Sequence, residues 1–263
     1  PLIWPHLFEC VRFASDLGMM PNITTNGIAL ERVAAELVRC KTAIINISVD
    51  GINEEQMALR NCIPGTFEKL ISGVQAILSK RVNGIPYVNA HTIITKNNWH
   101  SVNAINELVN ELGFDEHHIA PYAFYLPEHE EKARKEGALF MTGQEVKGAT
   151  DLLSYEEWAE SVRQLEMIVR ESRIPVQINT KCLQKEHCTF VSAKKMTCNR
   201  YTEEINIKPD GDAGICNGAI KIGNIISDDL RDIWMNEKHR KFIASFGNGK
   251  NMCFRCCGAQ LCF

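Results

Sequence analysis

The sequence predicts an α/β protein in which helices and parallel strands alternate, followed by a cysteine-rich region that contains a β-hairpin. Two observations support this prediction. In residues 1–124, segments whose apolar residues recur every three or four positions alternate with short segments that are predicted to be strands. One of these, Ala43–Ile47, is nearly continuously apolar, as is typical of buried parallel strands. From residue 182 onward, cysteines cluster and turn-forming residues become frequent.

The composition is that of an ordinary globular protein and argues against several classes of function. The chain has 263 residues, 45% of them hydrophobic, which is enough for a large core. A net charge of -3 and a pI of ≈ 6.3 argue against a nucleic-acid-binding surface. Apolar segments stay well short of the roughly 20 residues that span a membrane, and no secretory signal opens the chain. We therefore expect a cytoplasmic protein that binds neither nucleic acid nor a membrane.

The first region is predicted to run helix, then strand and helix three times, then strand. Apolar spacing places its four helices at 7–17, 33–38, 67–78 and 102–112, and its strands at 20–25, 43–47, 86–95 and 117–123. Gly18 and Gly113 are suited to end helices, and Ser101 is suited to N-cap the fourth helix. Parallel strands joined by helices form either a barrel or an open sheet. Because the first helix has no strand before it, we expect the chain to begin inside a larger domain.

The middle of the chain is predicted to be a linker that leads into a further helix. Residues 125–153 are charged and contain glycine, which favours a solvated linker. Ser154 and Glu157 form a capping-box pattern ahead of the helix. Val176–Ile178 can form a short strand after it.

The last region is predicted to contain a hairpin and a final helix. Ile205–Ile207 and Ala213–Ile215 flank a Pro-Asp-Gly turn, which predicts the hairpin. Apolar residues from Leu230 to Phe242 predict one helix.

The cysteines of this region are predicted to hold metal. The chain has 11 cysteines, and without a secretory signal a metal site is favoured over disulfides. Cys198 precedes the hairpin and Cys216 follows it, so both thiols can face one ion or cluster. Thiolates select zinc or iron–sulfur clusters.

Three further thiols lie at the end of the chain, in the pattern Cys253-x2-Cys256-x5-Cys262. The short Cys-x2-Cys loop allows two thiolates to reach the same metal. A zinc ribbon would use two such pairs, and the upstream half is not such a pair. Iron–sulfur clusters tolerate irregular ligand spacing. The spacing therefore favours an iron–sulfur cluster, while zinc and reactive or structural thiols remain alternatives.

The whole cysteine pattern, Cys198-x12-Gly211-x4-Cys216 followed by the terminal group, resembles that of the SPASM domain. SPASM domains hold auxiliary [4Fe–4S] clusters and follow a radical SAM barrel. Some relatives use one more cysteine upstream of the hairpin, which makes Cys188 a further candidate ligand. In the family two more cysteines follow the terminal group, so the resemblance implies a domain that is cut short at its end.

The first half resembles the radical SAM barrel at three places. Ile23-Thr-Thr-Asn-Gly27 is similar to the end of its third strand, and Ile47-Ser-Val-Asp-Gly51 is similar to its fourth strand. Arg60, followed by Pro64-Gly-Thr-Phe67, resembles the turn that opens the next helix. The resemblance implies that Ser48 and Arg60 contact S-adenosylmethionine, because a hydroxyl can bond a ribose or an amino-acid group and Arg pairs with a carboxylate. Asn26 either lines the same pocket or only makes the turn with Gly27.

Two polar features have ordinary structural interpretations. His117 and His118 are neighbours on a predicted strand and therefore point to opposite faces, which argues against a shared metal ion. Asp50 is interpreted as shaping the turn with Gly51, although a carboxylate there could also act as an acid or a base.

The resemblance implies the architecture of the chain: a partial (β/α)6 radical SAM barrel at residues 1–124, a linker and bridging helix at 125–181, and a truncated SPASM or twitch-like iron–sulfur domain at 182–263. The Cys-x3-Cys-x2-Cys motif that holds the family's catalytic cluster is not present in the sequence. We therefore expect the chain to be inactive by itself.

The resemblance also implies a function, that of an oxidoreductase. In the family, a reduced [4Fe–4S] cluster cleaves S-adenosylmethionine, and the resulting 5′-deoxyadenosyl radical abstracts hydrogen from the substrate. Many relatives modify a peptide or protein and receive electrons from a donor such as flavodoxin or ferredoxin. The alternative is a non-catalytic metal-binding module, with zinc or with an iron–sulfur cluster that relays electrons.

Overall fold

The computed structural model describes residues 1–54, 64–121, 153–178, 200–215 and 220–247, and the short strands 124–125, 140–141, 144–145 and 253–254. The chain divides into two compact units. The first consists of Pro1–Tyr122 and Thr150–Asn179, and the second of Ala123–Ala149 and Thr180–Phe263.

Helices and strands are numbered in chain order. The helices are α1 Leu7–Asp16, α2 Leu30–Arg39, α3 Thr66–Lys80, α4 Val102–Leu112, α5 Tyr155–Glu171, α6 Arg200–Glu203, α7 Leu230–Met235 and α8 Glu237–Gly247, with a 3₁₀ turn at Trp99–Ser101. The strands are β1 Asn22–Thr25, β2 Ile44–Ser48, β3 Tyr87–Ile94, β4 Glu116–Pro121, β5 Phe124–Tyr125, β6 Phe140–Met141, β7 Gln144–Glu145, β8 Val176–Ile178, β9 Asn206–Ile207, β10 Asp212–Ile215, β11 Ile220–Asn224 and β12 Cys253–Phe254. No helix within the described ranges is long and apolar enough to cross a membrane.

The first unit is built on a five-stranded sheet in the order β1-β2-β3-β4-β8. Each neighbouring pair of strands is parallel. The α/β fold and the predicted order of helices and strands through β4 are therefore confirmed. β8 joins the sheet beside β4 after helix α5, as a crossover between parallel strands requires.

One face of this sheet is apolar and packs against helices. Its core gathers fully buried side chains of β2, α2 and α3, and burying each Leu or Ile stabilises the fold by roughly 1.5–3 kcal/mol. The best buried members are Ile45, Ile47, Leu30, Leu37, Leu70 and Ile77. The opposite face carries the polar residues of the strands, so each strand alternates between a core side and a polar side.

Most of the predicted helix boundaries are confirmed. Gly18 and Gly113 follow α1 and α4 with φ of 79° and 80°, the left-handed conformation that ends helices. Ser154 accepts a hydrogen bond from the Glu157 amide, and the Glu157 side chain accepts one from the Ser154 amide, so the capping box is present. Ser101 occupies the N-cap position of α4, but its side chain makes no capping hydrogen bond. Its ψ of 6° belongs to the preceding 3₁₀ turn rather than to the extended backbone that capping requires.

The second unit contains the predicted hairpin. β9 and β10 pair antiparallel, with Ile207 opposite Ala213, and Gly211 makes the turn with φ of 82°. β11 adds a third antiparallel strand. A small apolar core forms between β10, β11 and the helices that follow, from Ala213, Ile215, Ile222, Ile233 and Phe242.

The prediction of one final helix was wrong, because Asn236 separates α7 from α8. Its backbone is extended, with φ of -71° and ψ of 165°. Its side-chain oxygen accepts a hydrogen bond from the His239 amide at 2.9 Å, and its amide nitrogen donates to the Ile222 carbonyl at 2.6 Å. Asn236 therefore begins the second helix and ties it to β11.

Candidate functional site

A pocket lies at the carboxyl ends of β1 and β2. Its volume is ≈ 440 Å³, within the range of small-molecule sites. Ligands bind outside the carboxyl ends of strands in parallel α/β sheets. The pocket is lined by Pro1, Leu2, Ile3, Thr24, Thr25, Asn26, Ile28, Ala29 and Ser48. Two of the three residues predicted to contact S-adenosylmethionine, Asn26 and Ser48, thus share one pocket.

The turn after β1 is held by its own side chains. Thr25 Oγ1 accepts a hydrogen bond from the Gly27 amide at 3.2 Å, and Asn26 Oδ1 accepts one from the Ile28 amide at 3.3 Å. Gly27 has φ of 80°, and a Cβ there would lie 2.6 Å from Leu70 Cδ1, so the turn needs glycine. Asn26 therefore both makes the turn and lines the pocket, which unites its two predicted roles.

Asp50 fixes the ends of two strands beside the pocket. The residue is 5% exposed, and its Oδ1 accepts a hydrogen bond from the Ile93 amide at 2.8 Å. Asn98 donates from its side chain to the carbonyls of Asp50 and Ile93, at 3.0 and 2.9 Å. These bonds support the interpretation that Asp50 shapes the turn after β2. They also hold the carboxyl ends of β2 and β3 in a fixed register.

Glu54 joins the segment after β2 to the start of α3. Its carboxylate oxygens accept hydrogen bonds from the amides of Thr66 and Phe67, at 3.2 and 2.9 Å. A carboxylate is favourable at a helix N-terminus because the first amides there lack partners. α3 begins at the predicted turn, with Gly65 as N-cap. Arg60, the third predicted S-adenosylmethionine contact, lies outside the described residues.

The polar face of the sheet carries two rows of side chains that run across neighbouring strands. One row follows the register Ser48, His91, His118 and Gln177. The other follows Thr24, Asn46, Asn89 and Glu116. The pocket residue Ser48 is therefore the neighbour of His91, and neighbouring strands lie about 4.8 Å apart.

Two asparagines of the second row, together with Asn22 of β1, form a chain of side-chain hydrogen bonds. Asn46 donates from Nδ2 to Asn22 Oδ1 at 2.7 Å, and Asn89 donates from Nδ2 to Asn46 Oδ1 at 3.1 Å. The two bonds run in sequence from Asn89 through Asn46 to Asn22, so the chain starts at Asn89. Asn89 Oδ1 is buried and finds no partner within the described residues.

The histidines of the first row stack on one another. The rings of His91 and His118 lie 4.6 Å apart between centroids and 11° from parallel. Burial lowers the pKa of His91 below its usual value, and the neighbouring His118 lowers it further. His91 is therefore neutral at pH 7. Sequence reasoning did not single out His91, although the polar residues at alternate positions of β3 were a usable signal.

His117 points to the opposite, apolar face, as the predicted alternation requires. It is fully buried. Its Nδ1 lies 3.0 Å from Asn106 Oδ1 and its Nε2 lies 2.8 Å from Thr92 Oγ1. Burial is the main reason that its pKa is lowered to about 3, with smaller contributions from His118 and His91. His117 is a neutral, hydrogen-bonded core residue.

The predicted metal ligands fall largely outside the described residues. Cys188, Cys198, Cys216, Cys256 and Cys262 all lie there, and of Cys253 only the backbone is described, in β12, where it pairs in parallel with Phe140 of β6. β10 ends at Ile215, one residue before Cys216. Within the described ranges, no group of three or more His, Cys, Asp or Glu side chains could hold a metal ion.

Comparison with known proteins finds a family match within the second unit. A family model of SPASM, an iron–sulfur cluster-binding domain, matches residues 198–257. The AdoMet-dependent heme synthase of Methanosarcina barkeri is 29% identical over 120 residues, which are 45% of this chain and 33% of the synthase. The chain thus spans about a third of the length of this curated relative.

Solved structures share the fold. SuiB of Streptococcus suis bound to S-adenosylmethionine matches with a TM-score of 0.62 and 15% identity, over 94% of this chain and 55% of SuiB. SuiB bound to the precursor peptide SuiA matches with a TM-score of 0.64 and 14% identity, over 94% and 54%. This chain therefore spans about half of SuiB. The chain thus contains a match to the SPASM domain, resembles the heme synthase over 120 residues and shares its fold with SuiB.

Proposed function

We propose that the chain is part of a radical SAM enzyme that abstracts hydrogen from a peptide or protein substrate and so modifies or matures it. The observation that carries the proposal is the pocket at the ends of β1 and β2, lined by both Asn26 and Ser48. A SuiB structure of the same fold contains S-adenosylmethionine, and another contains a precursor peptide.

The residues of the pocket fit S-adenosylmethionine. Hydroxyl and amide groups of Thr24, Asn26 and Ser48 can bond the ribose and amino-acid groups, while Leu2 and Ile28 offer apolar walls. Arg60 is proposed to pair with the carboxylate. When bound and reduced by an iron–sulfur cluster, S-adenosylmethionine supplies a 5′-deoxyadenosyl radical. The protein's own contribution is to orient the groups and to exclude water.

Asp50, Asn98 and Glu54 support this pocket from outside. Their hydrogen bonds fix the ends of β2 and β3 and the start of α3. The Ser48 hydroxyl thereby lies at a fixed strand end, because the backbone of β2 is hydrogen-bonded to its neighbouring strands up to Val49. Such preorganisation reduces the entropy lost on binding.

We propose that the thiolates of Cys198, Cys216, Cys253, Cys256 and Cys262, with Cys188 as a further candidate, hold auxiliary [4Fe–4S] clusters. The SPASM match over residues 198–257 supports this assignment, and thiolates are the ligands that iron–sulfur clusters take. The electrons are proposed to come from flavodoxin or ferredoxin in the cytoplasm. Because the sequence contains no Cys-x3-Cys-x2-Cys motif, the 263-residue chain is not expected to cleave S-adenosylmethionine reductively.

The heme synthase relative favours a second substrate class, a tetrapyrrole, because it is 29% identical over 120 residues. Binding of a tetrapyrrole can be detected directly, because its visible absorption band changes when it binds. Perturbation of that band by the purified protein, without any effect of peptides, would favour the second class over the first.

Titration calorimetry with S-adenosylmethionine tests the proposed pocket. Ser48→Ala removes one ligand hydrogen bond and is expected to weaken binding about tenfold, equivalent to about 1.4 kcal/mol. Ser79→Ala is the matched control, because Ser79 is exposed on α3 and its hydroxyl donates to the Ala76 carbonyl of the same helix. Equal affinities of the two variants would contradict the assignment. Formation of 5′-deoxyadenosine by the 263-residue chain with dithionite would contradict the expected inactivity.

A further inference from the structure

Four side chains on β3 and β4 form a compact group on the polar face, here named the polar square. Asn89 and His91 lie two residues apart on β3, and Glu116 and His118 lie two residues apart on β4. Asn89 is directly opposite Glu116, and His91 is directly opposite His118. Residues two apart on a strand point to the same face, so all four side chains meet on one side of the sheet.

Three buried polar atoms of the polar square find no hydrogen-bond partner within the part of the chain that is described. They are Asn89 Oδ1, His91 Nε2 and His118 Nε2. His118 Nε2 lies 3.0 Å from a Glu116 carboxylate oxygen, which is an ion-pair distance, but no hydrogen bond joins the two atoms. Buried polar groups in native proteins are nearly always paired, and a cluster that is not paired requires an explanation such as a bound group.

A metal ion does not explain the cluster. The two imidazole rings are stacked almost parallel, so their nitrogens do not converge on one point as metal ligands must. Among the described residues, no three His, Cys, Asp or Glu side chains, those of the polar square included, are placed to hold a metal ion.

The chemistry of the polar square selects a hydrogen-bond donor as its occupant. Asn89 Oδ1 is a hydrogen-bond acceptor, and the orientation of the amide is fixed because Nδ2 donates to Asn46. The Glu116 carboxylate is an acceptor when ionised, and a neutral imidazole offers one acceptor nitrogen. An incoming carboxylate or phosphate would face Glu116 and an amide oxygen. A protonated amine instead brings three N–H donors and a positive charge.

We propose that the polar square binds the protonated amine of the substrate. The three donors of an ammonium group match Asn89 Oδ1, the Glu116 carboxylate and one imidazole nitrogen. His91 is the strand neighbour of Ser48, so the amine would lie beside the pocket proposed for S-adenosylmethionine. The inference rests on the proposed function in one respect, that the group bound here belongs to the substrate; in a peptide this is a lysine side chain or the amino terminus.

Histidine-ring nuclear magnetic resonance with ethylammonium as the probe tests binding directly. The ring nitrogen signals of His91 and His118 are expected to shift saturably with ethylammonium. Tetramethylammonium, which has the charge but no N–H donor, and acetate, which has the opposite charge, are expected to leave them unchanged. Equal shifts with ethylammonium and tetramethylammonium would overturn the proposal, because binding would then not depend on N–H donors. Shifts with neither cation would also overturn it and would leave water as the occupant.

A matched pair of variants separates binding from folding. His91→Phe keeps an aromatic ring against His118 but removes the unpaired nitrogen, and Glu116→Gln removes the carboxylate charge. Each is expected to weaken ethylammonium binding at least about tenfold, and His91→Phe is expected to unfold at the same or a higher denaturant concentration than the parent. His100→Phe, at an exposed histidine, is the control and is expected to bind as the parent does. Unchanged binding in His91→Phe and Glu116→Gln would contradict the assignment.

S-adenosylmethionine titrations of the same variants keep the two proposals apart. Both polar-square variants are expected to retain S-adenosylmethionine binding within about twofold, since neither residue lines the pocket at Ser48. Amine binding without S-adenosylmethionine binding would overturn the proposed function alone. S-adenosylmethionine binding without amine binding would overturn this inference alone.

Discussion

The buried His117 predicts how the stability of the first unit depends on pH. Its pKa in the folded protein is about 3, against an ordinary value of 6.5. Below pH 6.5 the unfolded chain takes up a proton at this imidazole, whereas the folded chain does not. The unfolded state therefore binds more protons, and stability is lost as the pH falls from about 6.5 towards about 3.

The size of the effect follows from the same pKa difference. At pH 5.0 the solution lies about 1.5 units below the unfolded pKa, and each unit corresponds to about 1.36 kcal/mol. His117 should therefore cost about 2 kcal/mol of stability between pH 7.5 and pH 5.0. His91, whose pKa is also lowered, acts in the same direction, so a variant is needed to isolate His117.

Denaturant unfolding of the parent and of His117→Gln at both pH values is the assay. Gln cannot take up a proton but can still bond Thr92 and Asn106. The stability advantage of the parent over His117→Gln is expected to shrink by about 2 kcal/mol when the pH is lowered to 5.0. His100→Gln, at an exposed position, should show no such change. A parent-to-variant difference that stays constant within about 0.5 kcal/mol would refute the reasoning.

Two further predictions concern local contacts. Glu54→Ala should destabilise the first unit by about 1–3 kcal/mol, because it removes both acceptors from the amides of Thr66 and Phe67; denaturant unfolding measures this, and a larger loss for Glu54→Gln than for Glu54→Ala would contradict it. Gly223→Ala should destabilise the second unit by about 1–3 kcal/mol, because its Cβ would lie 2.7 Å from Ile233 Cγ1. Faster hydrogen exchange of the β11 amides would show the loss, and unchanged exchange would argue against it.

Much of the fold follows from local patterns and was therefore predictable. The alternation of helices and strands from α1 to β4 depends on spacing within short segments, and the capping box at Ser154 depends on two residues three apart. The split at Asn236 was missed because its side chain bonds the Ile222 carbonyl, a contact between residues 14 apart in the chain. Apolar spacing alone does not reveal such a partner.

The candidate site was predictable only in part. Asn26 and Ser48 were found through motifs at strand ends, and the structure places both in one pocket. The polar square was missed because it depends on the register between β3 and β4, which single strands do not encode. Each strand nevertheless shows the signal, a polar residue at alternate positions, as in Asn89 and His91.

Anaerobic purification followed by metal and sulfide analysis tests the central proposal most directly, that the cysteines of this chain hold iron–sulfur clusters as in the SPASM domain that it resembles. The account predicts iron and acid-labile sulfide in nearly equal amounts, with a brown absorbance that is lost when Cys198 and Cys253 are replaced by Ala. Stoichiometric zinc without sulfide or colour would contradict it.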